Sequence, residues 1–286
     1  MLGIHISKIE KGKTTRSLDE SVEIVLKDLN INACQVFTHG PRSLTECKID
    51  VKSFVKKTSD IYVANHSPYL MVGIWNALTH PFTKKELYLS AFTKMIKRTH
   101  EIGSNCFVLH ITKSSISKIK NVVIQLKDIL KKYNVKLGLE MVALKSCATT
   151  YETPEKINAL IDAIGSDDYY GIVVDTAHIW AAGVDCTKYS YMAKWLDEIK
   201  DKSKIILFHL NGSQCNIKSG KDKHALVFDD DDRIWKDMNY NESGVRAVVE
   251  FSIKHKVPMI CEVHGDSPNI KTTLKKIKSE MVKYKF

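Results

Sequence analysis

The most informative stretch of the sequence is VVDTAHIWAAGVD, in which an apolar run typical of a buried strand ends at Asp175. A histidine, His178, follows three positions later. A carboxylate at the end of a buried strand is costly unless a cation meets it. The pattern recurs, because five further apolar runs end at or near an imidazole or a carboxylate. The strand-end residues are His66, His110, Glu140, Asp175, His209 and Glu262.

Together these side chains indicate a site for divalent cations. A single histidine near a strand end is usually hydrogen-bonded or exposed, but six such groups at one place would be poorly compensated without cations. Three further candidate ligands lie nearby, namely His178 and the D-x-H pair Asp222 and His224. Nine nitrogen and oxygen ligands without a cysteine suit zinc, or manganese at the more exposed third position. Three ions with three or four ligands each, and one carboxylate shared, would use all nine.

The elements that must position these residues are short apolar runs that recur along the chain. They are near-continuously hydrophobic, which is typical of parallel strands covered on both faces. Ser17 and Glu20 form a capping-box pattern, and Gly103 and Gly165 stand where helix C-caps belong. The runs cover residues 1–7, 33–37, 61–66, 106–110, 136–141, 171–176, 205–210 and 259–264. Segments with helical spacing cover residues 17–29, 82–103, 119–133, 153–165 and 242–256.

Eight strands alternating with helices predict an α/β fold, a (β/α)8 TIM barrel with its active site at the C-terminal rim of the strands. We expect a single domain over residues 1–286, because no composition break divides the chain. An open doubly wound sheet is the alternative, but no GxGxxG follows the first strand. Residues 211–235 are the longest irregular stretch, and a loop of that length is usually functional.

The composition limits the classes of protein to consider. Hydrophobic residues make up 44% of the chain and charged residues 27%, which is an ordinary globular balance. No stretch approaches the roughly 20 apolar residues of a membrane span, and the N-terminus lacks a signal-peptide pattern. We therefore expect an intracellular protein, not secreted and without a membrane partner. The net charge of +10 favours a polyanionic partner, and seven scattered cysteines without a CxxC pair predict reduced thiols.

The candidate ligands lie in motifs that resemble those of the endonuclease IV family of abasic-site (AP) DNA-repair endonucleases. The most specific motif is DTAHIWAAGVD at residues 175–185, which is similar to the family pattern DTCHxxAAGYD. Val184 stands where the family most often has a tyrosine. The 13-residue step from His209 to Asp222 also matches. The other motifs are GIHIS (3–7), QVFT (35–38), HSPYL (66–70), FVLH (107–110), LEM (139–141), HLN (209–211), DKH (222–224) and ICEVHGD (260–266).

This resemblance implies a zinc-dependent AP endonuclease of base excision repair. Such an enzyme hydrolyses the phosphodiester 5′ to an abasic site in duplex DNA and leaves a 3′-hydroxyl and a 5′-deoxyribose phosphate. Glu140 and Glu262 would be catalytic, Glu262 by orienting a water that the ions activate. The family site is a cluster of three zinc ions, and Asp175 and His178 would bind different ions of that cluster. The implied ligand sets are His66 and His110 with bridging Glu140; Glu140 with Asp175, His209 and Glu262; and His178 with Asp222 and His224.

The resemblance also implies contacts between the rim loops and DNA. Tyr69 occupies the position where the family inserts a tyrosine into the minor groove, with loop packing as the alternative role. Arg42 matches an arginine that fills the gap left by the missing base, and a plain phosphate contact is the alternative. Three lysines near the candidate ligands would bind phosphates or simply be solvated. They are Lys218, Lys221 and Lys223.

The sequence departs from the family pattern after His224. Relatives usually continue with a glycine-rich stretch, whereas this chain reads ALVFDDDDRIW. The four aspartates at positions 229–232 suggest a solvated acidic turn, or alternatively extra divalent binding or a changed contact with DNA. The departure affects the DNA contacts expected of this loop and leaves the nine candidate ligands intact.

Two other functions fit parts of the pattern. Sugar isomerases of the xylose isomerase-like barrels share the expected architecture, but they use two metals held mostly by carboxylates, whereas this chain offers five histidine ligands. A DNA-binding protein that retained the fold without catalysis is the other alternative, although all nine ligand positions are filled. Incision of a duplex containing an abasic site separates the three, since only the repair enzyme would nick it. We expect such an enzyme to act as a monomer in the cytoplasm or nucleus, or in a virion if its source is viral.

Overall fold

The computed structural model describes residues 1–11, 14–81, 84–263 and 267–284, and a closed barrel of eight parallel strands lies at its centre. The strands are β1 Leu2–Ile6, β2 Ala33–Val36, β3 Tyr62–His66, β4 Cys106–Ile111, β5 Lys136–Met141, β6 Tyr170–Asp175, β7 Ile205–His209 and β8 Met259–Cys261. Each strand pairs with the next along the chain, and β8 closes the barrel against β1. The predicted α/β barrel is therefore confirmed, and each strand lies within one residue of a predicted apolar run or inside it.

Helices follow the strands and cover the outside of the barrel. All five predicted helices are present, and Glu20 accepts a hydrogen bond of 3.0 Å from the Ser17 N–H, as the capping box requires. Gly103 and Gly165 have left-handed φ values of 76° and 101° at the helix ends, as predicted. Residues 82–83 of the second predicted helix lie outside the described residues. The helices are α1 Leu18–Leu29, α2 Val51–Lys57, α3 Ile74–Ala77, α4 Lys85–Glu101, α5 Ile116–Lys132, α6 Pro154–Ile164, α7 Thr176–Ala182, α8 Tyr189–Asp197, α9 Gly244–His255 and α10 Ile270–Lys283.

The inside of the barrel is filled by small and branched side chains. Side chains alternate across a strand with a period of two, so every second residue faces the barrel interior. The inner layer consists of Ala33, Ala64, Cys106, Val108, Val173, Leu207 and Ile260, all buried. Gly3 lies at the level of Ala33, its register partner, and a Cβ on Gly3 would lie only 1.7 Å from the carbonyl oxygen of Ala33. This layer closes the barrel beneath its C-terminal rim, where the next inward-facing positions lie.

The predicted irregular segment 211–235 contains a two-residue ribbon. Its antiparallel strands, Gly212–Ser213 and His224–Ala225, return the chain to the rim. The intervening loop is anchored to α7, since the Lys218 N–H donates to the Trp180 carbonyl and the Gly220 N–H donates to that of Ala181. The end of α7 therefore supports the loop that carries Asp222.

The acidic run at 229–232 is only partly the solvated turn that the sequence suggested. Asp230 and Asp231 are exposed, but Asp232 is fully buried. Its carboxylate accepts hydrogen bonds from the N–H groups of Ser213 at 3.2 Å, Ile234 at 2.9 Å and Phe228 at 3.0 Å. Asp232 therefore joins the ribbon to the following loop, because a buried carboxylate needs such donors. The expectation of a solvated turn is wrong for this residue.

The helices of the described segments cover the outside of the barrel. None of these helices combines the length and the apolar character needed to cross a membrane. Their apolar faces instead pack on the outer face of the strands in the main hydrophobic core.

Candidate metal centre

The ends of six strands bring the predicted ligands to one rim. The register pairs His110 with Glu140, and Asp175 with His209, so these side chains lie on neighbouring strands at the same height. Glu262 comes directly after the last residue of β8. Each of the six strand-end ligands stands two positions after the inner layer of the barrel and therefore faces inward. These inner positions are Ala64, Val108, Val173, Leu207 and Ile260, together with Gly138, which has no side chain.

The first group of candidate ligands consists of His66, His110 and Glu140. The Oε2 atom of Glu140 lies 3.2 Å from Nε2 of His66 and 3.0 Å from Nε2 of His110. Glu140 and His66 are buried, and His110 is only 14% exposed. Three ligand atoms thus converge on one point at the inner side of the rim.

The second group shares Glu140 with the first and adds Asp175, His209 and Glu262. His209 is its centre, because its Nδ1 atom lies 2.9 Å from Oε1 of Glu140 and 3.2 Å from Oε2 of Glu262. Oδ2 of Asp175 is 3.8 Å from the same nitrogen. The two oxygens of Glu140 therefore face different groups. The bridging role that the resemblance implies for this carboxylate stays a prediction.

The third group contains His178, Asp222 and His224. The Oδ1 atom of Asp222 lies 3.4 Å from Nε2 of His178 and 3.1 Å from Nε2 of His224. The two imidazoles are buried or nearly so, whereas the Asp222 side chain is 51% exposed. This group is the outermost of the three, as expected for the more exposed position.

The resemblance assigned Asp175 to the second group and His178 to the third, but in the structure Asp175 also lies close to His178. Its Oδ2 atom lies 3.4 Å from Nε2 of His224 and 3.8 Å from Nε2 of His178, so it contacts the second and third groups alike. Asp175, His178 and His224 themselves form one set of convergent ligand atoms. The structure thus offers two shared carboxylates where the sequence argument had one. The assignment of all nine residues as ligands stays a prediction.

The donor set fits divalent cations. A tetrahedral ion with bonds of about 2.1 Å separates its ligand atoms by about 3.4 Å. The contacts within the three groups run from 2.9 to 3.8 Å around that value. Imidazole nitrogens and carboxylate oxygens without a thiolate suit zinc or manganese. The residues present therefore fit the ions that the sequence predicted.

The charges in the site are strongly coupled. Burial would raise the pKa of Glu140, but the imidazoles of His110 and His209 outweigh burial and hold this pKa well below its ordinary value. Burial would raise the pKa of Glu262 as well, but the imidazoles of His209, His224 and His66 together lower it to about 2. Burial opposes protonation of His209 and His224, yet the carboxylates beside them raise both pKa values to about 9. Glu140 and Glu262 are thus held as anions, the form that binds a cation, whereas burial raises the pKa of Asp175.

Hydrogen bonds on the far side of the imidazoles orient the candidate ligands. Nδ1 of His66 lies 2.7 Å from the Ser67 carbonyl, and Nδ1 of His178 lies 2.7 Å from the Met141 carbonyl. Donation to these carbonyls leaves each Nε2 atom as a lone-pair donor toward its group. Asp175 also acts as N-cap of α7, since its Oδ1 accepts from the His178 N–H at 3.0 Å.

Among the described residues, two further polar side chains hydrogen-bond to the side chains of candidate ligands and were given no role from the sequence. Gln35 bonds to His209 and Glu262, and Asn211 bonds to Asp175 and Glu262. A signal was present, since both are polar residues in or directly after apolar strands. Gln35 also stands two positions after the inward-facing Ala33. Its side chain therefore faces inward, as those of the strand-end ligands do. Residues 264–266 of the ICEVHGD motif lie outside the described residues.

Two of the five predicted DNA contacts line the cleft above the candidate ligands, and the other three lie on the loop that carries Asp222. Tyr69 is 47% exposed, and its ring centroid lies 5.9 Å from that of His110 and 6.2 Å from that of His66. Its N–H donates to the carbonyl of Pro41, which places Arg42 beside it. Both residues line a cleft of about 1170 Å³ above the candidate ligands. Lys218, Lys221 and Lys223 are exposed on the loop that carries Asp222. All five positions remain predicted DNA contacts.

Comparison with known proteins places the chain among related sequences. It matches the xylose isomerase-like TIM barrel family over residues 24–279. It is 28% identical over 258 residues to a probable AP endonuclease of African swine fever virus (isolate Tick/Malawi/Lil 20-1/1983), covering 85% of this chain and 82% of that protein. It is 26% identical over 243 residues to a probable endonuclease 4 of Mycoplasma capricolum subsp. capricolum, covering 79% and 80% respectively. Endonuclease IV from Thermus thermophilus has the same fold, with a TM-score of 0.70 at 18% identity, covering 99% and 98% of the two chains. The resemblance inferred from the motifs is thus confirmed.

Proposed function

The chain belongs to the xylose isomerase-like TIM barrel family, and within it we propose that the protein is a metal-dependent AP endonuclease of base excision repair. Its substrate would be duplex DNA with an abasic site. Hydrolysis of the phosphodiester 5′ to that site would leave a 3′-hydroxyl and a 5′-deoxyribose phosphate. The names of the viral and bacterial relatives support this interpretation over other activities of the family.

The observation that carries the proposal is the convergence of the nine candidate ligands in three adjoining groups. Five of the nine are histidines, so the donor set differs from the carboxylate-dominated, two-metal site expected of a sugar isomerase. Such a set suits three zinc ions, with manganese as the alternative in the third group, where Asp222 is half-exposed. Glu140 and Asp175 would each be shared between two ions.

The bound ions would act as Lewis acids and lower the pKa of a water enough for it to attack phosphorus near neutral pH. Glu262 would orient that water, since its Oε2 atom faces the second group, 3.2 Å from Nδ1 of His209. Glu140 would hold the first two ions at a fixed separation through its two oxygens. No side chain would form a covalent intermediate with DNA.

Recognition of the damaged strand would depend on the rim loops. An abasic nucleotide unstacks at low cost, so an enzyme that extrudes it gains selectivity from the missing base. Tyr69 and Arg42 line the cleft above the ligands and would enter the gap in the base stack. Lys218, Lys221 and Lys223 would bind phosphates, in keeping with the net charge of +10. The whole chain would act as one domain and as a monomer on DNA inside a cell, or inside a particle assembled there.

An incision assay tests the proposal. A labelled duplex with a stable abasic analogue at one position is incubated with the zinc-loaded protein, and an identical duplex with an intact base serves as control. We expect one product with a 3′-hydroxyl, cut immediately 5′ to the analogue. Conversion of a ketose or aldose without any nicking would instead assign the chain to the sugar isomerases. Tight binding of the abasic duplex without incision would indicate a non-catalytic DNA-binding protein.

A further inference from the structure

The carboxylate of Glu262 is held between two side-chain amides. Its Oε1 atom accepts a hydrogen bond of 2.7 Å from Nε2 of Gln35, and its Oε2 atom accepts one of 3.2 Å from Nδ2 of Asn211. The Glu262 N–H in turn donates to Oδ1 of Asn211 at 2.7 Å. These bonds restrict rotation of the carboxylate, which comes after β8 and not within it.

Gln35 also contacts the central imidazole of the second group. Its Oε1 atom lies 2.9 Å from Nε2 of His209. An ionised carboxylate only accepts hydrogen bonds, so the amide nitrogen must point to Glu262 and the amide oxygen to His209. His209 therefore donates through Nε2, which leaves Nδ1, the nitrogen that faces Glu140, Asp175 and the second oxygen of Glu262, as the atom that would bind a cation after losing its proton.

The position of Gln35 in the barrel explains how one side chain reaches both groups. It is fully buried on β2, a strand that supplies none of the nine candidate ligands. Inward-facing residues of β2 point to the barrel axis. The Gln35 amide therefore reaches across the barrel to His209 on β7 and to Glu262, which follows β8. A glutamine is costly to bury unless both of its polar ends are bonded, and here both are.

We infer that Gln35 is a positioning residue for the second ion, which fixes the His209 tautomer and presents Glu262 to that ion through a single oxygen. This inference rests on the proposed function, because it assumes that the second group binds a cation. Outer hydrogen bonds of this kind raise the affinity of a site for its metal by about tenfold to a hundredfold. Gln35 itself touches neither the ion nor the substrate in this role.

The test compares Gln35→Met with Gln35→Glu. Methionine fills a similar volume and removes the bonds to His209 and Glu262 together with the 3.1 Å contact to Nδ1 of His5. Glutamate retains an acceptor for Nε2 of His209 but has no N–H for Glu262. The matched control is Asn158→Leu, which removes a buried amide that bonds the Glu198 carbonyl and the Lys200 N–H far from the rim. Each full-length protein is stripped of metal with a chelator and titrated with Co²⁺ against a competing chelating dye, and its visible Co²⁺ spectrum is recorded.

We expect Gln35→Met to weaken one Co²⁺-binding event by about tenfold or more and to alter the spectrum of that ion. Gln35→Glu should not restore wild-type binding, because it has no N–H for Glu262 and places a second carboxylate beside it. Asn158→Leu should bind as the wild type does. An unchanged affinity and spectrum in Gln35→Met would overturn the inference, and so would equal losses in Gln35→Met and Asn158→Leu, which would indicate a general effect of removing a buried amide. A wild-type protein that binds no divalent ion would instead reject the proposed function itself.

Discussion

The Oε1 atom of Glu140 lies 2.9 Å from Nδ1 of His209, while the other oxygen of the same carboxylate lies against His66 and His110. One buried side chain thus belongs to two groups of candidate ligands, and no other residue of the first group does. The three groups are consequently not equivalent, and they should lose their ions in different ways.

Glu140→Gln should therefore remove two ions where Asp222→Asn removes one. The amide cannot serve as an anionic bridge, so both the first and the second group lose a ligand. Asp222 serves the third group alone and is half-exposed, so the remaining groups should keep their ions. Elemental analysis after dialysis against graded chelator measures the difference. Equal stoichiometry in the two variants would contradict the bridging role of Glu140.

Glu262→Gln should reduce incision of an abasic duplex by about a hundredfold or more, since positioned acid–base groups contribute about 10² to 10⁴ in rate. The loss should appear in kcat more than in KM, because Glu262 is assigned to the water and not to DNA. The control Glu155→Gln changes an exposed carboxylate in the first turn of α6 and should leave the rate unchanged. If Glu262→Gln cut DNA at near wild-type rate, the assigned mechanism would be wrong.

Lys218→Ala should lower the salt dependence of binding to abasic DNA. Each phosphate contact adds about 0.9 to the slope of log K against log salt, so its loss should reduce that slope by about one. Lys132→Ala is the matched control, because this exposed lysine ends α5 at the opposite end of the barrel from the candidate ligands. Fluorescence anisotropy at several salt concentrations gives both slopes. Identical slopes in the two variants would place Lys218 away from the bound strand.

Asp232→Asn should change how stability depends on pH. Burial raises the pKa of Asp232 from an ordinary 3.8 to about 6, so between these values the folded protein holds a proton that the unfolded chain releases. The free energy of unfolding therefore declines as the pH rises from about 4 to about 6, by an amount on the order of 3 kcal/mol. Asparagine does not titrate, so the variant should lack this decline although it weakens the ribbon at every pH.

Chemical denaturation of the metal-free proteins at several pH values measures this difference. The informative quantity is the gap in unfolding free energy between wild type and Asp232→Asn, because the other titrating groups are common to both. The gap should narrow as the pH rises toward 6. A gap independent of pH would show that Asp232 keeps an ordinary pKa in the folded protein.

The sequence by itself determined the barrel and the residues at its rim. Strands of a parallel barrel are nearly continuous apolar runs, so their ends can be located directly, and a polar side chain such as Asp175 or His209 stands out against them. The rule that such ends share one rim then brings together residues far apart in the chain. The predicted helix over residues 153–165 is α6, and its end follows from a local signal, because Gly165 stands at its C-cap.

Only the tertiary structure decided how the candidate ligands divide into three groups and which hydrogen bonds orient them. The sharing of Asp175 depends on the ribbon that returns His224 to the rim, and the bond from Gln35 to Glu262 joins residues 227 positions apart. The burial of Asp232 depends on N–H groups of the ribbon and of the loop that follows it, which no local pattern brings together. Local periodicity records which face of a strand a residue occupies, whereas hydrogen-bond partners are set by the closure of the barrel and the course of its loops.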